Sequence, residues 1–156
     1  MKSPKTISKH ISYKEAVRSN TAKRRGIDNT PSGLELEAMI NVAEKVFEPL
    51  REHFGCPILI NSFFRSIKLN KAIGGSSRSQ HCKGEAMDLD DTLGGVKNSE
   101  IWAYIKNNLE FDQLIWEFGD TEEPNWVHVS LKLNGENRKQ CLRASRVLGR
   151  VVYETM

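Results

Sequence analysis

Two histidines and an aspartate stand in short segments whose residue types suit a metal ion. His81 and Asp88 lie in Ser79-Gln-His-Cys-Lys-Gly-Glu-Ala-Met-Asp88, and His128 lies in Trp126-Val-His-Val-Ser130. Two imidazoles and a carboxylate form the protein ligand set of a catalytic zinc whose fourth position stays open for water. The patterning says how they could meet. Lys83-Gly84 marks a turn. Glu85 to Asp90 then alternates as a strand, with Ala86, Asp88 and Asp90 on one face and Met87 and Leu89 on the other. In the later segment Val127, Val129, Leu131 and Leu133 form the apolar face, and Trp126, His128 and Ser130 the opposite one. Two strands can therefore aim His81, Asp88 and His128 at one point. Taken singly, each residue fits a surface, hydrogen-bonding or capping role as well; two patterned segments together point to zinc. Cys82 offers a soft thiolate, but adjacent side chains diverge on an extended backbone, so it reads as packing.

The first segment, S-x-H-x-x-G-x-A-x-D, resembles the zinc D-Ala-D-Ala peptidases, which cut peptidoglycan stem peptides and include D,D-carboxypeptidases, D,D-dipeptidases and phage endolysins. W-x-H-x-S resembles the third-ligand strand of the same family. The resemblance spans Ser32 to Leu133. It implies a hydrolase that holds one zinc through His81, Asp88 and His128. It implies that Arg65, in Ser62-Phe-Phe-Arg65-Ser66, binds the substrate carbonyl, and that Ser79 binds the substrate carboxylate or braces the site.

Hydrolysis also needs a general base. Many relatives place Glu or Asp three residues before the last histidine, where this chain has Asn125, which cannot take a proton from water. Two carboxylates remain. Glu117 lies in a strand where Leu114, Trp116 and Phe118 form the expected core face, so Gln113, Ile115 and Glu117 point the other way. In a hairpin with the His128 strand, Glu117 would share the histidine's side. Its place also resembles the glutamate ending the matching strand of hedgehog domains. Glu123, in a loop-like Glu122-Glu123-Pro124, is the second candidate.

The scaffold is expected to be α+β: a small, mostly antiparallel sheet with the zinc on one face and helices around it. Ser12-x-x-Glu15 and Ser32-x-x-Glu35 read as capping boxes. The second opens a long amphipathic helix from Leu36 to Phe54, in which Pro49 should cause a kink or an early end. A strand over Pro57–Ser62, a short helix over Ser66–Ile73, a helix from Asn98 or Ser99 and a strand over Phe111–Phe118 complete the core. The basic residues of the C-terminal stretch, Arg138 to Arg150, read as an amphipathic edge with its charges in solvent. The expected layout is a single domain over 1–156, with an extension at 1–31, a catalytic core at 32–133 and a terminal segment at 134–156.

Composition adds bounds. With 23 basic and 20 acidic residues the net charge of +3 gives no argument for nucleic acid as a partner. No apolar run approaches the ~20 residues of a membrane helix. The first ten residues lack a signal-peptide apolar core, so a cytoplasmic chain is expected, unless a phage holin or similar route releases it. Three cysteines without an export signal read as free thiols. The expected partner is peptidoglycan or a D-Ala-D-Ala-type peptide, acted on by a monomer. The competing readings are a cytoplasmic D,D-dipeptidase and a hedgehog-like zinc module without catalysis.

Overall fold

A computed structural model describes residues 3–91 and 94–156; Met1 and Lys2 of the polar N-terminal stretch lie outside it. The chain opens with a short hairpin, β1 (Thr6–Ser8) and β2 (Ile11–Ser12). Two short helices follow, α1 (Tyr13–Ala16) and α2 (Asn20–Arg25). Ser12 and Ser19 cap them by accepting hydrogen bonds from the Glu15 and Ala22 N–H groups. The expected long helix is present as α3 (Gly33–Val42), a π-helical turn (Ala43–Phe47) and α4 (Glu48–Phe54). At its start the Glu35 carboxylate accepts from the Ser32 N–H. The anticipated kink at Pro49 is taken up by the π turn immediately before α4, since proline has no N–H to continue the ladder.

A six-stranded sheet carries the rest. It runs β3 (Leu59–Ser62), β4 (Ala86–Asp90), β5 (Gln113–Glu117), β6 (Trp126–Ser130), β7 (Gln140–Val147) and β8 (Arg150–Thr155) along the chain, in spatial order β3-β4-β6-β5-β7-β8. All neighbours are antiparallel except β5 and β7, which are parallel. The sheet is therefore mostly antiparallel, as expected, but mixed and larger than the small sheet expected. The difference comes from the C-terminal stretch, which does form an edge with most of its charges in solvent, but as two strands that widen the sheet beyond β5. The N-terminal extension is likewise part of the core: Ile7 and Ile11 are buried in it.

Strand parity follows the sequence pattern. Met87, Leu89, Leu114, Trp116, Val127 and Val129 bury one face against Met39, Val42, Val46 and Leu50 of the long helix and Ile101 and Ile105 of α6 (Asn98–Asn108), the helix that follows the short α5 (Ile67–Ala72). Burial of this apolar surface drives the packing. The opposite face carries Asp88, Ile115, Glu117 and His128. Phe118 departs from the expected core face. Its φ is +57°, so the alternation breaks at the strand end. The ring packs instead on Trp126, 5.4 Å between centroids, and on a second cluster of Ile115, Leu142 and Ala144.

Among the described residues, no helix is long and apolar enough to cross a membrane.

Candidate metal centre

Asp88 and His128 are directly opposed on β4 and β6. Their side chains meet, with His128 Nδ1 3.0 Å from Asp88 Oδ1. His81 reaches them from a 3-10 turn (Gln80–Lys83) placed just before β4. Two features build that turn. Ser79 caps it, its Oγ accepting from the His81 N–H. Gly84 closes it at φ +74°, where a Cβ would lie 2.4 Å from the Glu35 carbonyl oxygen; only glycine fits between the turn and α3.

The tautomer of His81 is set by its surroundings. Nδ1–H donates to the Phe63 carbonyl at 2.7 Å, which leaves the Nε2 lone pair facing the cluster. Nε2 is buried, lies 3.3 Å from Asp88 Oδ1 and has no hydrogen-bond partner. Burial lowers the His81 pKa. Burial works against the charge of Asp88, but His81 and His128 outweigh it and hold the carboxyl well below its usual range. One donor atom each from His81, Asp88 and His128 lies within 4.8 Å of the others. An orphaned imidazole nitrogen, a second imidazole and an ionised carboxylate within that span fit a zinc ion.

Arg65 adjoins the cluster and is pinned on three sides. Its Nε donates to Ser62 Oγ at 2.9 Å, Nη1 to Asn70 Oδ1 at 3.3 Å and Nη2 to Asp88 Oδ2 at 3.2 Å. It therefore orients the aspartate, a role the sequence pattern did not announce. Asn29 in turn fixes the Arg65 loop, donating to the Phe64 carbonyl and accepting from the Ser66 N–H.

Glu117 stands on β5 next but one to Ile115, the cross-strand partner of His128. It is 8% exposed, and its carboxyl accepts no hydrogen bond from the described residues. Burial pushes its pKa up to about 7, with His128 and Arg65 opposing and Asp88 reinforcing the shift. A carboxyl group that changes protonation near neutrality is suited to moving a proton.

The second base candidate is placed elsewhere. Glu123 accepts from the Ser99 N–H and hydroxyl and so caps α6, which turns its carboxylate to a helix N-terminus rather than to the cluster. Asn125 donates its backbone N–H to the Glu117 carbonyl and holds the end of the β5–β6 hairpin. Ser79 serves the His81 turn. Cys82 lies outside the three-ligand group, and burial raises its thiol pKa.

Two contributors were not anticipated. Asp112, fully buried, receives Arg138 through Nε at 3.0 Å and Nη2 at 2.7 Å, and also the Gln80 side-chain amide at 3.1 Å. It joins the C-terminal segment to the turn that carries His81. Tyr153 on β8 is paired with Ala144, itself paired with Glu117, so the phenol shares the site's face. Its pKa is raised by burial and by the charges of Glu117 and Asp88.

A sheet face that offers two imidazoles, an ionised carboxylate and a nearby unpartnered glutamate is the architecture of a metal-dependent hydrolase. The sequence agrees at the level of family. The family model described as Peptidase M15 matches residues 9–130, and the chain belongs to that family, of the zinc D-Ala-D-Ala carboxypeptidase type. No curated protein matches the chain.

Proposed function

We propose that the protein is a zinc metallopeptidase that hydrolyses an amide bond next to a D-amino acid in peptidoglycan stem peptides. The observation that carries this reading is Glu117. A buried carboxyl with no internal partner and a pKa of about 7 stands on the same sheet face as the His81, Asp88 and His128 donors. Hydrolysis requires such a proton carrier beside the metal donors; hedgehog domains carry a glutamate at the matching place, so cleavage is the measurement that separates catalysis from the non-catalytic reading.

Zinc held by the three donors would supply a Lewis acid that acidifies a water and polarises the scissile carbonyl. Glu117 takes the proton of the attacking water and returns it to the leaving amine nitrogen as the C–N bond breaks. Arg65 holds Asp88 in place and faces the oxygen on which negative charge develops. The bond of His81 to Phe63 fixes its tautomer and so turns the Nε2 lone pair to the metal. Residues 32–133 would supply the chemistry, the flanking segments belonging to the same domain, and the enzyme would act as a monomer. A chain made in the cytoplasm would reach the wall through a holin-type route, as a phage lytic enzyme does.

Digestion of purified peptidoglycan with zinc-loaded protein, followed by mass analysis, tests the reading. Loss of a terminal D-amino acid marks a carboxypeptidase, and release of cross-linked or shortened stems marks an endopeptidase. Intact peptidoglycan together with cleavage of free D-Ala-D-Ala would assign a dipeptidase. Firm zinc binding with no cleavage of any D-amino-acid peptide would refute the enzyme.

A further inference from the structure

The groove beside Glu117 has no part in the chemistry above. It lies between the β5–β6 connection and the end of β7 and encloses about 630 Å³. Its near end adjoins the site, because Trp126, which lines it, is the cross-strand partner of Glu117. On the other side of Glu117, Ala144 of β7 lines it too.

One wall is an open strand edge. β5 stops at Glu117, whereas β7 runs on to Val147. The Phe118 N–H donates to the Ala144 carbonyl, so alternate residues of β7 turn their backbone groups toward β5. Arg146 is the next such residue, and no strand pairs with it on that side. An exposed edge of this kind accepts an extended peptide as an added strand.

The charges in the groove point to the occupant. The Arg146 guanidinium lies over the Phe118 ring at 5.2 Å, and that of Arg143 over Trp116 at 5.4 Å. Among the described residues neither arginine is ion-paired with a carboxylate. Glu154, the cross-strand neighbour of Arg143, makes no such pair. The buried Nε of Arg143 has no hydrogen-bond partner. Asp120 is the acid lining the groove, and its Oδ1 already accepts from the Glu122 and Glu123 N–H groups.

We propose that this groove is a subsite for an extended, carboxylate-bearing stretch of the peptide substrate. Its carboxylate would lie on Arg146, and its backbone along the free edge of β7. The inference rests on the peptidase reading for the position of the scissile bond.

The test uses zinc-loaded protein and two peptides. Both carry the same D-amino acid at the scissile bond, and they differ only in a carboxylate or a carboxamide outside it. The carboxylate peptide should be favoured in kcat/KM by about 2- to 5-fold, the scale of a solvent-screened ion pair. The preference should appear in KM and weaken with added salt. Arg146→Gln should abolish it, and Arg146→Lys should keep part of it. Equal kcat/KM for the two peptides in the wild type, or an undiminished preference in Arg146→Gln, overturns the subsite. Equilibrium binding of the same labelled peptides separates the two readings. Preferential binding of the carboxylate form without cleavage of either supports the subsite and overturns the peptidase. Cleavage without preference does the reverse. Binding of peptide-free glycan strands that is lost in Arg146→Gln would assign the groove to sugar and overturn the proposal.

Discussion

Replacing Glu117 by glutamine keeps size and hydrogen-bonding capacity while removing the base, and its effect is expected on two separate axes. On activity, the zinc-loaded variant should keep its metal and lose ~10²–10⁴-fold in turnover, the range of a general acid–base group. On stability, the sign follows from the raised pKa. The folded protein holds the Glu117 proton up to about 7, whereas the unfolded chain releases it near the ordinary 4.5. Between those values the unfolded state binds fewer protons, so metal-free wild type loses stability as pH rises. About 2.5 pH units at 1.36 kcal/mol each gives roughly 3 kcal/mol, complete above about pH 7. The glutamine side chain does not ionise and escapes this loss. Urea unfolding of both metal-free proteins should show the variant gaining about 3 kcal/mol relative to wild type between about pH 4 and about pH 8. The paired measurement cancels every other titrating group. Hydrolysis of a D-amino-acid peptide supplies the activity arm. A variant within tenfold of wild-type turnover, or a stability difference flat with pH, would refute the role assigned to this carboxyl.

Other outcomes follow from the same geometry. His128→Ala should lose most of its zinc by metal analysis, and full retention would reject the three-ligand set. Arg65→Ala should lower turnover by ~10²-fold or more as a lost oxyanion donor. Because Nη2 also holds Asp88, the same variant should weaken zinc binding by ~10-fold, as outer partners of metal ligands do; an unchanged zinc affinity would reduce Arg65 to a substrate contact. Asp112→Asn should cost about 1–2 kcal/mol in denaturant unfolding by weakening charge-assisted hydrogen bonds from a half-exposed arginine. The Arg138 bidentate contact and Lys132 overcome burial and lower the Asp112 pKa from 3.8 to about 2, so the wild-type advantage should be lost as pH falls through that interval. An advantage that persists below about pH 2 would exclude the pair as its source.

The metal cluster was legible because strand parity is a local property. Alternation alone placed Asp88 opposite Met87 and His128 opposite Val127, and β4 and β6 pair in the register that brings the two together. The C-terminal hairpin was not legible. A two-residue turn usually announces itself by Asn-Gly or a similar pair, because its central residues need positive φ. Here the turn is Leu148-Gly149, with Leu148 itself at φ +50°, and a leucine gives no warning of that conformation. The parallel pairing of β5 with β7 followed from the same gap. Phe118 was misplaced for a related reason, since one positive φ at a strand end reverses the side to which a residue points. The Asp112–Arg138 pair joins distant segments, and nothing local in either marks the other.

Motif resemblance assigned Asp88 to the metal and left the base between Glu117 and Glu123, but parity does not say why two carboxylates on one face should differ. Asp88 and Glu117 share one sheet face, and by parity alone either could bind metal or move a proton. Their environments separate them. Asp88 is flanked by two imidazoles and receives the Arg65 guanidinium, so it stays ionised as a ligand must. Glu117 is buried on β5 without a donor, so its charge is penalised and its pKa moves to about 7. Carboxyl groups driven apart in this way sort into permanent charge and proton carrier. A bound cation would favour the Glu117 carboxylate through space, as any nearby positive charge does. The acid limb of kcat/KM should therefore fall at or below about pH 7. The limb should disappear in the residual activity of Glu117→Gln. A limb that survives that substitution would move the proton transfer to another group.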